Sequence, residues 1–209
     1  MCGRGGDPGD DPPRPCAELA EQFAKAAEPV WLYACGGDGT FNEVVQAAVG
    51  HPNLSVGLVP CGSGNDFVRN FAPKEQFLDI AAQLAGSPHA IDTICTEYGY
   101  SAAICAAGLD AQVAYGIPKF KRLPFCGGSM AYTLSIAEAV FSTFRHRLRV
   151  TLDDRMLEGD YMMSAICNGR VYGGGYFAGP HALLDDGLLD VVLLKPVPRW
   201  KMAGLLARY

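Results

Sequence analysis

No apolar run in this 209-residue chain approaches the roughly 18 residues that a membrane-crossing helix needs, so no transmembrane segment is expected. No basic stretch followed by an apolar one opens the chain, so a secretory leader is not expected either. Basic residues are in the minority. With 17 Lys and Arg against 22 Asp and Glu, a net charge of −5 and a pI near 5.3, a nucleic-acid partner is excluded, because it would call for a basic face. The eight cysteines (2, 16, 35, 61, 95, 105, 126 and 167) include no CxxC pair. Most lie in apolar strand-like runs, as small buried hydrophobes do in a reducing compartment, which points to the cytoplasm. GxxxxGK[ST] is missing, which excludes a Walker-type cradle. The four histidines (51, 89, 146 and 181) lack HExxH spacing and read as surface or capping residues. Gly127–Ala131 comes near a GxSxG elbow but ends in Ala and follows no strand, so Ser129 reads as a helix start. There is no internal repeat.

What the chain does have is 49% hydrophobic residues, enough for a core in one large or two small domains. Its most telling stretch is Val30–Val45, VWLYACGGDGTFNEVV. An apolar strand-like run, Val30–Ala34, breaks into Gly36-Gly37-Asp38-Gly39. Thr40–Val49 then resumes at helical spacing, with Phe41, Val44, Val45 and Ala48 on one face. A strand that opens a helix through glycines is an anion site, since backbone N–H groups and the positive helix end can approach a phosphate. An acid inside such a turn suits a phosphate that arrives with a divalent cation, held by Asp38 directly or through water. The competing reading is an ordinary strand-to-helix turn with Thr40 as N-cap.

Around this stretch, Met1–Pro15 is rich in Gly, Pro and Asp and is expected to be disordered, and Cys16–Ala27 has helical spacing. Leu54–Val59 is a second apolar strand, ending in a second glycine turn, Pro60–Phe67 (PCGSGNDF), and Lys74–Ala85 reads as an amphipathic helix. This alternation predicts a parallel sheet with helices on its faces, and both glycine turns then lie beyond the carboxyl ends of the strands, facing one site. The pattern changes near Gly86-Ser87-Pro88. A hairpin around Glu97-Tyr98-Gly99, a long helix over Gly128–Phe144 and short strands at Arg147–Leu152, Met156–Glu158, Tyr161–Asn168 and Leu188–Leu194 predict an antiparallel second domain. The expected division is 1–15 disordered, 16–88 an α/β domain and 89–209 a β-rich domain.

GGDGTFNEVV, then PCGSGNDFVRNF, AAGLDAQV and NGRVYGGGYFAGPHALLDDGLLDVVLL, in this order, resemble the diacylglycerol kinase catalytic-domain family, which includes bacterial lipid kinases and sphingosine and ceramide kinases. The resemblance implies a nucleotide-binding three-layer α/β domain followed by an antiparallel β-sandwich-like lipid domain, with the site in a cleft between them. It implies transfer of the ATP γ-phosphoryl group to a lipid hydroxyl, with diacylglycerol the first substrate to consider and ATP and Mg²⁺ as cofactors. By resemblance, Gly36, Gly37, Asp38, Gly39, Thr40, Phe41 and Asn42 lie along the phosphates with Asp38 steering Mg²⁺, and Ser63, Gly64 and Asn65 touch the nucleotide. Asn65 and Asp66 have the alternative of closing their turn by side-chain bonds. Glu43 has that of favouring a helix start. A structural Mg²⁺ would be held by the Asp186 carboxylate and the carbonyls of Leu183 and Leu188, against a plain Asp-Gly turn. Asp110 matches an acid that faces the lipid hydroxyl in some relatives, or it caps a helix.

Ile117–Phe125, IPKFKRLPF, mixes Lys119, Lys121 and Arg122 with Phe120, Leu123 and Phe125, and reads as a solvated loop or a dock for an anionic membrane surface. A lipid substrate at the membrane surface, a peripheral location and a homodimer among the open assemblies complete the expectation. Two departures stand out. The family's opening Asn-Pro-x-Ser-Gly turn has no counterpart in Met1–Pro15, and its Asp-Gly-Glu segment, with the general base, has none before Tyr209. The chain is therefore expected to be a fragment, inactive alone. NAD kinase, which shares GGDGT, and a non-catalytic nucleotide-binding module are the alternative functions.

Overall fold

The computed structural model describes residues 22–121 and 145–198, with 18, 134–136, 138–139 and 201 besides. The 1–15 segment, Arg122, Leu123, Phe125, Ser129, most of the helix expected over 128–144 and part of that over 16–27 lie outside the described residues. In chain order the elements are β1 (Val30–Gly36), α1 (Asp38–Ala48), β2 (Leu54–Pro60), α2 (Ile80–Ala85), β3 (Ile94–Thr96), β4 (Gly99–Ser101), β5 (Ile104–Gly108), α3 (Leu109–Lys121), β6 (His146–Leu152), β7 (Arg155–Tyr161), β8 (Met163–Cys167), β9 (Val171–Tyr172), β10 (Tyr176–Phe177) and β11 (Asp190–Leu194). The fold is α/β, with an antiparallel-sheet domain in its C-terminal half. The described residues form two compact units, one of those up to 104 with 167–190, the other of those from 105 to 166 with 191–201.

In the first unit, β1 and β2 pair in parallel, Val30 opposite Leu54 through Gly36 opposite Pro60. β1 carries Val30, Trp31 and Tyr33 and β2 carries Val56 and Val59, residue types that pack well on a pleated surface. The helix between them, α1, buries Phe41 and Val45 against Ala34 and Leu58, and Phe67, Val68 and Ala102 complete this core. Phe41 and Phe67 stack at 4.2 Å between ring centroids. Each ring stands just beyond one of the glycine turns, so the core sits directly behind both turns and fixes their positions.

The expected single helix over Lys74–Ala85 is two pieces, a 3₁₀ turn over Lys74–Leu78 and α2. Asp79 between them takes a non-helical backbone, and its carboxylate accepts a hydrogen bond from Ala82 N at 3.0 Å. An Asp that can cap a new helix competes with continuing the old one. The β3–β4 hairpin is held on α1 by Gln46, whose side chain donates to Tyr100 O and accepts from Tyr100 N at 2.8 Å.

In the second unit, β11, β8 and β5 form one sheet in that order, and β6 and β7 form an antiparallel hairpin turning at Asp153-Asp154. The expected strand over Tyr161–Asn168 is interrupted at Met162, whose N–H bonds Leu194 O at 2.8 Å while its carbonyl accepts from Leu109 N at 2.9 Å. Arg147 and Arg149 share an exposed face and pair with Glu158 at 2.9 and 3.5 Å. Exposed pairs of this kind contribute little to stability. Residues 117–121 continue α3 rather than forming a loop; Lys119 pairs with Glu138, and its ammonium lies 5.2 Å from the Phe120 ring centroid.

Candidate functional site

Because β1 and β2 run parallel and in register, they end at one edge, and the two glycine turns leave from that edge side by side. Cys61 N donates to Gly36 O at 2.9 Å, carrying the ladder one step beyond the strands. The backbones of Gly37 and Gly62 then touch. A Cβ on Gly62 would stand 2.4 Å from Gly37 Cα, a distance only a side-chain-free residue tolerates.

Asn65, buried and at φ 54°, accepts from Gly62 N at 3.0 Å and donates to Gly62 O at 2.5 Å, so its side chain does close the second turn. Asp38 crosses from the first turn to the second: its Oδ1 accepts from Asp66 N at 2.7 Å and Phe67 N at 3.2 Å. Its Oδ2 lies 2.7 Å from a Cβ position on Gly64. One carboxylate oxygen of Asp38 thus positions backbone while the other remains beside the glycines. The helix starts at Asp38 with Gly37 as N-cap and no capping side chain, so Thr40 is its third residue and not the cap.

The ten expected nucleotide residues, Gly36 to Asn42 and Ser63 to Asn65, are gathered at this edge of one unit. They differ in what they offer. Ser63 is exposed and Gly39 has open space around it, whereas the Phe41 ring belongs to the core. Asn42 Oδ1 accepts from Gln46 Nε2 at 3.3 Å.

Asp66 is 8% exposed, and its Oδ2 accepts from Gly174 N at 2.7 Å. Its Oδ1 has no hydrogen bond among the described residues and lies 3.6 Å from Arg69 Nε. Burial pushes the Asp66 carboxyl above its usual 3.8; the neighbouring Asp38 adds to this, while the Gly174 amide and Arg69 oppose it. An acid raised in the folded state holds its proton more firmly there than in the unfolded chain. Its contribution to stability is therefore full below 3.8 and is lost as pH rises through the raised folded value. Replacing it by Asp66→Asn should flatten the fall of the urea midpoint as pH rises above 3.8; parallel profiles for parent and variant would refute the assignment.

Two more clusters join this unit. Asn70 accepts from Arg170 N at 2.7 Å and donates to Phe67 O at 2.8 Å, tying the segment after β8 to the second glycine turn. Asp92 organises the 183–188 loop: its N–H donates to Leu184 O at 2.6 Å and its Oδ2 accepts from Gly187 N at 2.7 Å. Asn168, fully buried, holds Asp92 in turn by donating to Asp92 O at 2.7 Å and Ala102 O at 2.9 Å. Within the loop, Asp186 Oδ1 accepts from Leu188 N at 3.0 Å, and His89 Nε2 lies 2.8 Å from Asp185 Oδ2. The Leu183 and Leu188 carbonyls with the Asp186 carboxylate would make an all-oxygen set of the kind that suits Mg²⁺. The Asx bond and the φ of 73° at Gly187 fit a plain turn as well. Among the described residues no group of three or more His, Cys, Asp or Glu is placed to hold a metal, so a cation here would lean on carbonyls and water.

Asp92, Asn70, Asn168 and Gly174 are absent from the expected site. The available signals were a polar Asn ending an apolar run and three successive glycines. In the second unit Asp110 lies in the first turn of α3. A cavity of about 370 Å³ opens there, lined by Ala107, Ala111, Tyr115, Leu148, Met162 and Met163 among others.

Comparison with known proteins gives the family. A family described as "Diacylglycerol kinase catalytic domain" matches residues 11–96, and one described as "YegS C-terminal NAD kinase beta sandwich-like domain" matches 103–209. A Shewanella frigidimarina protein named "Probable lipid kinase YegS-like" is 34% identical over 77% of this chain and 53% of its own length. A Bacillus subtilis "Diacylglycerol kinase" is 30% identical over 86% of this chain and 61% of its own. The solved structure of a Bacillus anthracis diacylglycerol kinase superposes with a TM-score of 0.67 at 19% identity, covering 93% of this chain and 63% of that one. The chain thus spans somewhat over half the length of the curated relatives it matches. With the two family matches together accounting for nearly all of it, the chain belongs to the diacylglycerol kinase catalytic-domain family.

Proposed function

We propose that the chain is the nucleotide-binding and lipid-binding part of an ATP-dependent lipid kinase, with diacylglycerol as acceptor and phosphatidic acid as product. The observation that carries this is the contact of the two glycine turns, Gly37 against Gly62, at the shared end of β1 and β2. In the reaction the lipid hydroxyl oxygen bonds to the γ-phosphorus as the bond from that phosphorus to the ADP oxygen breaks, and the hydroxyl proton leaves to a base. Catalysis of such a transfer rests on positioning and charge neutralisation.

Gly36 to Asn42 and Ser63 to Asn65 would line the phosphates, close to backbone that carries no side chain. Asp38 would act through its Oδ2, its Oδ1 being engaged with the second turn. Mg²⁺, when bound with ATP, would screen the phosphate charge. Asp186 with the carbonyls of Leu183 and Leu188 would hold a second, structural Mg²⁺, and Asp110 is the candidate for contact with the lipid hydroxyl. The apolar cavity of the second unit is large enough for part of an acyl chain, since small-molecule sites run from about 300 Å³ upward. Work at a membrane surface would follow from a lipid substrate and the cytoplasmic side from ATP as donor, and no described helix is long and apolar enough to cross a membrane.

The test is calorimetric titration with Mg-ATP, followed by incubation with γ-labelled ATP and diacylglycerol vesicles and extraction into organic solvent. Saturable binding of Mg-ATP is the expected result; label in the organic phase would establish the lipid acceptor and overturn the expectation that this chain is inactive alone. Label on NAD⁺ in the aqueous phase would transfer the assignment to a nicotinamide nucleotide kinase, and absence of both binding and transfer would remove it.

A further inference from the structure

Three successive glycines, Gly173, Gly174 and Gly175, join the two-residue strands β9 and β10, and all have positive φ (62, 91 and 119°). A three-residue hairpin loop ordinarily needs one left-handed residue, so chain reversal alone does not account for three. The loop is fastened to the nucleotide edge of its own unit. Gly174 N donates to Asp66 Oδ2 at 2.7 Å, and that same oxygen lies 3.7 Å from a Cβ position on Gly64, so Gly64 and Gly174 flank a single carboxylate oxygen. A Cβ on Gly174 would meet nothing within 4 Å, which leaves that part of the loop bare and open. Arg69 spans the gap, its guanidinium 3.5 Å from Gly64 O, 3.6 Å from Asp66 Oδ1 and 3.3 Å from a Cβ position on Gly175.

We infer that residues 173–175 with Arg69 form a third wall of the phosphate-binding site, facing the polyphosphate of the nucleotide, and that Asp66 is the positioning residue that holds this wall against the second glycine turn. Side-chain-free backbone allows a phosphate to come close, and a guanidinium offers it charge-assisted hydrogen bonds. Asp66 keeps the wall in place without touching the ligand. The inference rests on the nucleotide reading above and extends it to a segment 108 residues away from Asp66 in the chain.

Hydrogen exchange read by mass spectrometry on the 209-residue chain separates the two. Mg-ATP should slow exchange several-fold in peptides covering 36–42, 61–66 and 172–176, whereas AMP, which lacks the β- and γ-phosphates, should leave 172–176 unprotected. In Asp66→Ala the 172–176 peptide should exchange about tenfold faster without ligand and lose its protection, with the 94–101 hairpin unchanged. Asp66→Asn, which keeps an acceptor oxygen, should restore most of both. Should Asp66→Ala not fold, Arg69→Gln, a change on an exposed side chain, should reduce protection of 172–176 and weaken Mg-ATP binding about tenfold. Protection at 36–42 and 61–66 without any at 172–176 overturns the third wall and leaves the nucleotide site standing. No protection anywhere overturns both. Faster exchange throughout the unit in Asp66→Ala, including 94–101, would mark Asp66 as a general structural residue and refute its positioning role.

Discussion

Gly62→Ala should cost at least tenfold in Mg-ATP affinity and lower the melting temperature by several degrees. The added methyl meets Gly37 backbone at 2.4 Å, where no flexible side chain can swing aside, so the two glycine turns must separate. Overpacking of this kind costs about 1–3 kcal/mol, and a shift of an ångström between the two halves of the proposed phosphate cradle would misplace every donor in it. Gly39→Ala is the matching control for stability alone, since Gly39 is itself among the residues proposed to line the phosphates. It lies in the first turn of α1 with nothing within 4 Å of its Cβ position, and Ala there should raise stability by up to about 1 kcal/mol. Thermal unfolding of both variants and calorimetry on Gly62→Ala give the comparison. Equal melting temperatures and affinities for Gly62→Ala and its parent would show that the turns do not touch as described.

Asn168→Ala should destabilise the chain by about 2–4 kcal/mol, since it strips the donor from two carbonyls, Asp92 O and Ala102 O, at a fully buried position. Asn168→Asp should be worse. A carboxylate supplies no donor and brings a charge into the interior. The loss should be felt furthest at the 183–188 loop, which Asp92 organises through Leu184 O and Gly187 N. Urea denaturation measures the first effect, and limited proteolysis within 183–188 the second. A midpoint within experimental error of the parent would mean that Asn168 does not carry these bonds in solution.

The sequence disclosed the features that depend on local pattern. The run VWLYACG, with its β-branched and aromatic residues, and the glycines after it announced β1 and the turn. The short strand runs at Arg147–Leu152 and Met156–Glu158 announced β6 and β7. Family motifs tied the order of blocks to a lipid kinase. Sequence reading failed wherever a side chain had two uses. Lys74–Ala85 has a helical period throughout, yet Asp79 prefers to cap Ala82. Asp38 suits a metal by residue type, and periodicity cannot say that one of its oxygens is taken by Asp66 N and Phe67 N, 28 and 29 residues away. Asp92, Asn70 and Gly174 are joined to partners across 76, 100 and 108 residues, and pairings of that span leave no spacing to read.

The unit that carries both glycine turns is stitched from two stretches of chain, with 105–166 inserted between them. On the ribosome this imposes a wait. At roughly 5–20 residues per second, Asp66 and Asp92 emerge several seconds before Gly174 and Asn168 exist to bond them. A nascent chain halted near residue 100 should therefore lack a settled arrangement of the two glycine turns even though every motif residue of both has been made. An expression boundary drawn between the two family matches would divide the same unit.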